Sequence, residues 1–171
     1  MGSVHDVIEA LRTAPSNSER GTAFERLMMR YFELDPMLSA QYEEVCRWPD
    51  WPGRDGRTDL GIDLVARERD TGEYVGIQCK FYEPEHTLPK GQIDSFLNEL
   101  GREPFTKGII ISTTDKWGSN AEGSLDGRSK PVSRNGLDVI ADSPIDWDIA
   151  WPTGRLEINL SSAQRHQPRP A

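Results

Sequence analysis

The sequence predicts an α/β sandwich, a central mixed β-sheet flanked by helices. Three observations carry that expectation. Residues 61–82, GIDLVARERDTGEYVGIQCKFY, read as two strands joined by the tight turn Arg69-Asp70-Thr71-Gly72. Lys107–Thr113 contains the unbroken apolar run Gly108-Ile109-Ile110-Ile111, as in a strand covered on both faces. Amphipathic stretches at helical spacing stand before and between these strands, and strands alternating with helices build layered sandwiches.

Taken in order, Val4–Leu11 is expected to be a short helix, with Val4, Val7, Ile8 and Leu11 on one face. Pro15-Ser16-Asn17-Ser18 breaks the chain, and Ser16 or Ser18 can cap a second helix over Glu19–Glu33. Its buried stripe is Phe24, Leu27, Met28 and Tyr31, with Glu25 beside the stripe; a carboxylate there usually just reaches solvent. Asp35-Pro36 ends that helix. Gln41–Trp48 is expected as a strand, followed by a turn-rich loop, WPDWPGRDGR, with two tryptophans and two arginines. That loop reads equally as a lid packed on the sheet and as a DNA-facing loop. Beyond the hairpin, Gly91–Leu100 is expected to be helical, Lys107–Thr113 and Leu137–Ala141 buried strands, and Ala121–Leu125 a short helix. From Ser161 the chain is polar and without periodicity, which suggests a linker or disorder. The expected division is one domain over 1–158 and a polar tail over 159–171.

A chain of 171 residues suits one domain with a real core. No apolar run approaches the ~20 residues of a membrane helix, and no basic-then-apolar leader is visible, so the expected location is cytoplasmic. Cys46 and Cys79 form no framework and no metal spacing, and His5, His86 and His166 are scattered without partners. The net charge of −8 is awkward for a protein that grips nucleic acid unaided. Either basic groups cluster locally, or the domain borrows its grip from a larger assembly.

The chemistry concentrates in the hairpin. Asp63 stands between Ile62 and Leu64, while on the second strand Gln78 and Lys80 alternate away from Ile77, Cys79 and Phe81. A carboxylate, an amide and an amine on one side of a hairpin outline a metal-assisted phosphodiester site. In that outline Asp63 is the anionic ligand for Mg²⁺, and Lys80 serves the attacking water or the pentavalent phosphorus. On spacing alone a surface salt bridge between Asp63 and Lys80 is the commoner arrangement. The position of Asp63 inside an apolar strand favours the metal, because a buried carboxylate needs compensation.

Asp63 followed by Gln78-Cys79-Lys80 resembles the D–QxK variant of the PD-(D/E)xK nucleases, in the Mrr-like restriction endonuclease group. Gly21-Thr22-Ala23-Phe24-Glu25 looks like that group's helix motif. The series GTAFERL, WPDWPGR, DLGIDLVA, GIQCKFY, QIDSF, ISTTDKW and SPIDW is similar to the N-terminal nuclease domains of type ISP restriction-modification enzymes and related large predicted helicases. The resemblance implies a restriction-endonuclease-like three-layer fold. It implies a Mg²⁺-dependent endonuclease (Mn²⁺ substituting) that cuts double-stranded DNA in defence against foreign DNA. Its site would comprise Asp63, Gln78, Lys80 and Glu25, with metal ligands Asp63, Gln78, Glu25 and the Cys79 carbonyl. Two departures stand out: Ile62 replaces the family's proline, and Gln78 replaces an acid. In such enzymes helicase-like ATPase, methyltransferase and target-recognition domains follow in the same polypeptide; this chain has no GxxxxGK[ST]. The alternatives are a docking or nucleic-acid-binding module that has lost turnover, and a junction-specific nuclease.

Overall fold

The computed structural model describes residues 3–13, 15–56, 61–83, 85–87, 90–114 and 130–150. Arg57, the Asp115-Lys116-Trp117 end of one motif, the expected Ala121–Leu125 helix and the polar tail lie outside them.

Helix α1 (Val4–Leu11) opens on a reciprocal cap: the Ser3 hydroxyl accepts from Asp6 N–H, and the Asp6 carboxylate accepts from Ser3 N–H. Helix α2 (Asn17–Leu34) is capped by Ser16, whose hydroxyl accepts from Glu19 N–H, and it buries Phe24, Leu27, Met28 and Tyr31. Asp35 ends α2, and its carboxylate accepts from Met37 and Leu38 N–H to start α3 (Pro36–Gln41). That helix is too short for periodicity to reveal. Five strands follow: β1 (Tyr42–Arg47), β2 (Leu64–Glu68), β3 (Tyr74–Lys80), β4 (Phe105–Ser112) and β5 (Val132–Asn135). Helix α4 (Lys90–Leu100) links β3 to β4, and α5 (Leu137–Ala141) and α6 (Trp147–Ala150) follow β5 among the described residues.

The sheet runs β1-β2-β3-β4-β5, antiparallel from β1 to β3 and parallel from β3 to β5, as a mixed sheet requires. One correction concerns Leu137–Ala141, which is a helix and not a buried strand. Only Ile140 of it is buried, and Gly136 separates it from the true edge strand β5. β5 hid from the hydrophobic pattern because an edge strand with half-exposed residues needs no apolar run.

Two cores sandwich the sheet. On one side α1 and α2 pack Ile8, Leu11, Phe24 and Leu27 against Leu64, Val75, Ile77, Cys79 and Ile111. On the other, α4 and the tryptophan loop pack Phe96, Leu100, Trp48 and Trp51 against Ile62, Val65 and Ile110. Trp48 and Trp51 are 2% and 6% exposed, with the Trp51 ring 5.3 Å from Phe105 and 5.6 Å from Tyr74. The two indoles therefore belong to the core, as in a lid packed on the sheet.

Helix α4 seats on a pair of glycines opposite each other in register, Gly76 and Gly108. A Cβ at Gly108 would stand 2.7 Å from Leu100 and 2.9 Å from Phe96. Gly108→Ala is expected to destabilise the fold by about 1–3 kcal/mol through overpacking. Gly21, inside α2, has nothing within 4 Å of such an atom, so Gly21→Ala is expected to stabilise by roughly 0.5–1 kcal/mol. Urea unfolding of both variants checks the pair; a neutral Gly108→Ala would contradict this seating of α4.

Candidate active site

Asp63 lies immediately before β2, where the hairpin opens. Its backbone is held from both sides: its N–H donates to Ile77 C=O at 2.9 Å, and its C=O accepts from Trp48 N–H at 2.9 Å. With β2 ending there, its side chain takes over as acceptor for β3. Asp63 Oδ2 accepts from Cys79 N–H at 2.7 Å, a short, charge-assisted bond. An extended residue turns its N–H and C=O to the same neighbour, so the Cys79 carbonyl leaves β3 on the Asp63 side.

Gln78 is 1% exposed on the α4 side of β3. Its Nε2 donates to Gly61 C=O at 3.1 Å, while its Oε1 is buried without a hydrogen-bond partner. Gly61 is in the left-handed half of conformational space, at φ 137°, and a Cβ there would meet the Phe96 backbone at 3.1 Å. Both facts require glycine.

Glu25 projects from α2 to Arg47 at the end of β1, Oε1 to Nε 3.1 Å, with both side chains mostly buried. Sequence reasoning missed Arg47 and the Gly61 carbonyl. No local signal marks either, because each contact joins segments far apart in the chain. Lys80, half-buried, is the last residue of β3. Behind it, Thr113 Oγ1 accepts from Tyr82 N–H at 2.6 Å and donates to Tyr82 C=O at 2.7 Å. Thr114 Oγ1 donates to His86 C=O at 2.7 Å. The ISTT part of the motif thus pins the segment that leaves the site.

Asp63, Glu25 and Lys80 meet electrostatically at Cys79. Burial pushes its thiol well up, the Asp63 and Glu25 carboxylates push it further, and Lys80 pulls it back. Two carboxylates, the Cys79 carbonyl and the Gln78 amide are oxygen donors, which suit Mg²⁺ or Mn²⁺ over softer ions. The orphaned Gln78 Oε1 is a buried acceptor in want of a partner. Among the described residues no group of three or more His, Cys, Asp or Glu is arranged to hold a metal, so any ion here relies on neutral donors as well.

The half-buried Cys46 thiol is pushed up to about 11, by burial first and then by Glu44 and Asp50. A raised folded-state value means that the native chain holds its proton while the unfolded chain releases it near pH 9. The stabilisation is therefore complete below about pH 9 and is lost as pH rises toward about 11. Urea midpoints are expected to fall across that window. At pH 8 the native Cys46 thiol should react about a hundredfold more slowly than that of the urea-unfolded chain, which a thiol-disulfide reagent measures directly.

The model of the family Mrr_cat_2, described as restriction endonuclease, matches residues 33–157. The chain is similar to the ATP-dependent type ISP restriction-modification enzyme LlaBIII bound to DNA, at 33% identity and TM-score 0.72 over 86% of this chain. MspJI restriction endonuclease, in complex with a 27-mer oligonucleotide, matches at 18% identity and TM-score 0.62 over 95% of the chain. The DNA modification-dependent restriction endonuclease AspBHI matches at 16% identity and TM-score 0.57 over 98%. The chain spans 9% of the LlaBIII chain, 35% of that of MspJI and 41% of that of AspBHI. No curated protein matches. No helix among the described residues is long and apolar enough to cross a membrane. With the mixed five-stranded sheet and its flanking helices, these matches place the chain in the Mrr_cat_2 family of restriction endonucleases, on the restriction-endonuclease-like fold.

Proposed function

We propose that the chain is the divalent-metal-dependent endonuclease domain of a restriction enzyme that hydrolyses phosphodiester bonds of double-stranded DNA. The observation that carries this reading is the Asp63 carboxylate, docked on Cys79 N–H where the hairpin opens, with Glu25 and Lys80 bearing on the same residue. Asp63, Glu25, the Cys79 carbonyl and Gln78 Oε1 would hold Mg²⁺, with Mn²⁺ as substitute. The ion supplies Lewis acidity and lowers the pKa of water.

The chain's own side chains do the rest. Cys79 N–H fixes one carboxylate oxygen of Asp63, which orients the other. Arg47 holds Glu25 against β1 and away from free rotation. Lys80 donates a hydrogen bond to the attacking water or to the phosphoryl oxygens as negative charge builds there. Target choice and most of the DNA affinity would reside in ATPase, methyltransferase and recognition domains of a longer cytoplasmic polypeptide, with 1–158 as nuclease and 159–171 as connector. That arrangement fits a net charge of −8, which is poor for gripping phosphates unaided.

A second reading, a docking module without turnover, draws on the neutral Gln78 and on the Glu25–Arg47 pair. Mn²⁺ titration with DNA present separates the two, since a chain that never takes up the ion is a docking module. The nuclease reading predicts that Asp63→Ala and Lys80→Ala, made in the natural polypeptide that carries this chain, each lower plasmid cleavage at least about a hundredfold. Cleavage that survives Asp63→Ala would sink it.

A further inference from the structure

We infer that Gln78, whatever its Oε1 does, is also a positioning residue, an amide clamp on the Gly61 carbonyl that helps hold Asp63 in place, and that an ionised acid cannot do its job. The inference rests on the nuclease reading only for its consequence at the metal. Gln78 Nε2 donates to Gly61 C=O at 3.1 Å in a pocket where the side chain is 1% exposed. A carbonyl is a pure acceptor, so only the NH₂ end of the amide can face it, and Oε1 is left as the one remaining acceptor.

Three neighbouring residues turn this bond into a lever on Asp63. Gly61 lies against the Phe96 backbone at φ 137°, Ile62 is fully buried against Gly76 on the α4 side, and the Asp63 N–H is tied to Ile77 C=O. Release of the Gly61 carbonyl removes one tie from a segment whose next but one residue caps Cys79 N–H. An ionised Glu here would add a negative charge but place a second acceptor against the Gly61 carbonyl, with no proton to share. Two acceptors facing each other in a buried pocket repel, and each loses its hydration without a replacement bond.

The two readings of Gln78 therefore predict opposite results for Gln78→Glu. A mere deficit of charge predicts tighter Mn²⁺ binding by the variant. The clamp predicts weaker binding and a loosened Asp63.

The experiment measures amide hydrogen exchange by NMR at pH 8 on the 171-residue chain, together with Mn²⁺ titration. Gln78→Glu and Gln78→Met remove the donor, and Gly61→Ala displaces the carbonyl without touching Gln78. In each, exchange at Cys79 N–H, which Asp63 caps, is expected to accelerate at least about tenfold relative to Leu27 N–H in the middle of α2. Mn²⁺ affinity should fall in all three. Cys79 exchange unchanged relative to Leu27, equal acceleration at both amides, or tighter Mn²⁺ binding by Gln78→Glu would each overturn the clamp. Absence of Mn²⁺ uptake by the wild type counts against the nuclease reading alone, and the amide pattern still decides the clamp.

Discussion

The site depends on one hydrogen bond, from Cys79 N–H to Asp63 Oδ2. Where β2 parts from β3, the inner strand of a five-stranded sheet would be left with an unpaired donor in a buried place, a costly defect. A carboxylate fills the gap, and in doing so it is fixed to within one hydrogen-bond geometry. The strand opening, the capped amide and the orientation of the acid are one feature. Trp48 and Ile77 tie the Asp63 backbone on its two sides, so the acid starts from a fixed main chain and only its side chain has to be oriented.

Charge at this site is rationed. Asp63 and Glu25 are its two carboxylates, and Arg47 already engages one of them. Gln78 contributes acceptor capacity without charge. A hard cation binds such a set more weakly than a three-acid set, because ligand charge count tunes affinity. On the proposed function, such a set would leave a bound cation dependent on further oxygen donors from outside the chain.

Much of the fold was legible because its signals are local. The stripe Phe24, Leu27, Met28, Tyr31, the Arg69–Gly72 turn and the Ile109–Ile111 run each declare their element within a few residues, and each stands where expected. Leu137–Ala141 misled because a five-residue apolar run has no period long enough to tell helix from strand. The tryptophan loop stayed ambiguous because indole suits a core and a DNA surface alike, and only Phe105, some fifty residues on, decides for the core. In the hairpin the alternation correctly placed Ile77, Cys79 and Phe81 in the core under α2. It could not show that Asp63 would turn its carboxylate to a backbone amide, that Gln78 would face Gly61, or that Glu25 would find Arg47. All three contacts cross between elements.

The motif series that marks the family is mostly packing. Phe24 and Leu27, Trp48 and Trp51, Ile93 and Phe96, and Trp147 are buried. Thr113, Thr114 and Ser143 tie down loops, the last through a 2.6 Å bond to Asp35. The polar positions Glu25, Asp63, Gln78 and Lys80 are few, and they sit at the seam of that packing. Cys79 belongs to the core under α2, and its neighbour Gln78 points to the core under α4. Two adjacent residues of β3 thus anchor the site to both layers of the sandwich. A small displacement of either layer moves one of these two residues relative to the other. Core residues of the motif series thus position its polar residues as well: the seat of α4 on Gly76 and Gly108 lies on the same face of β3 as Gln78.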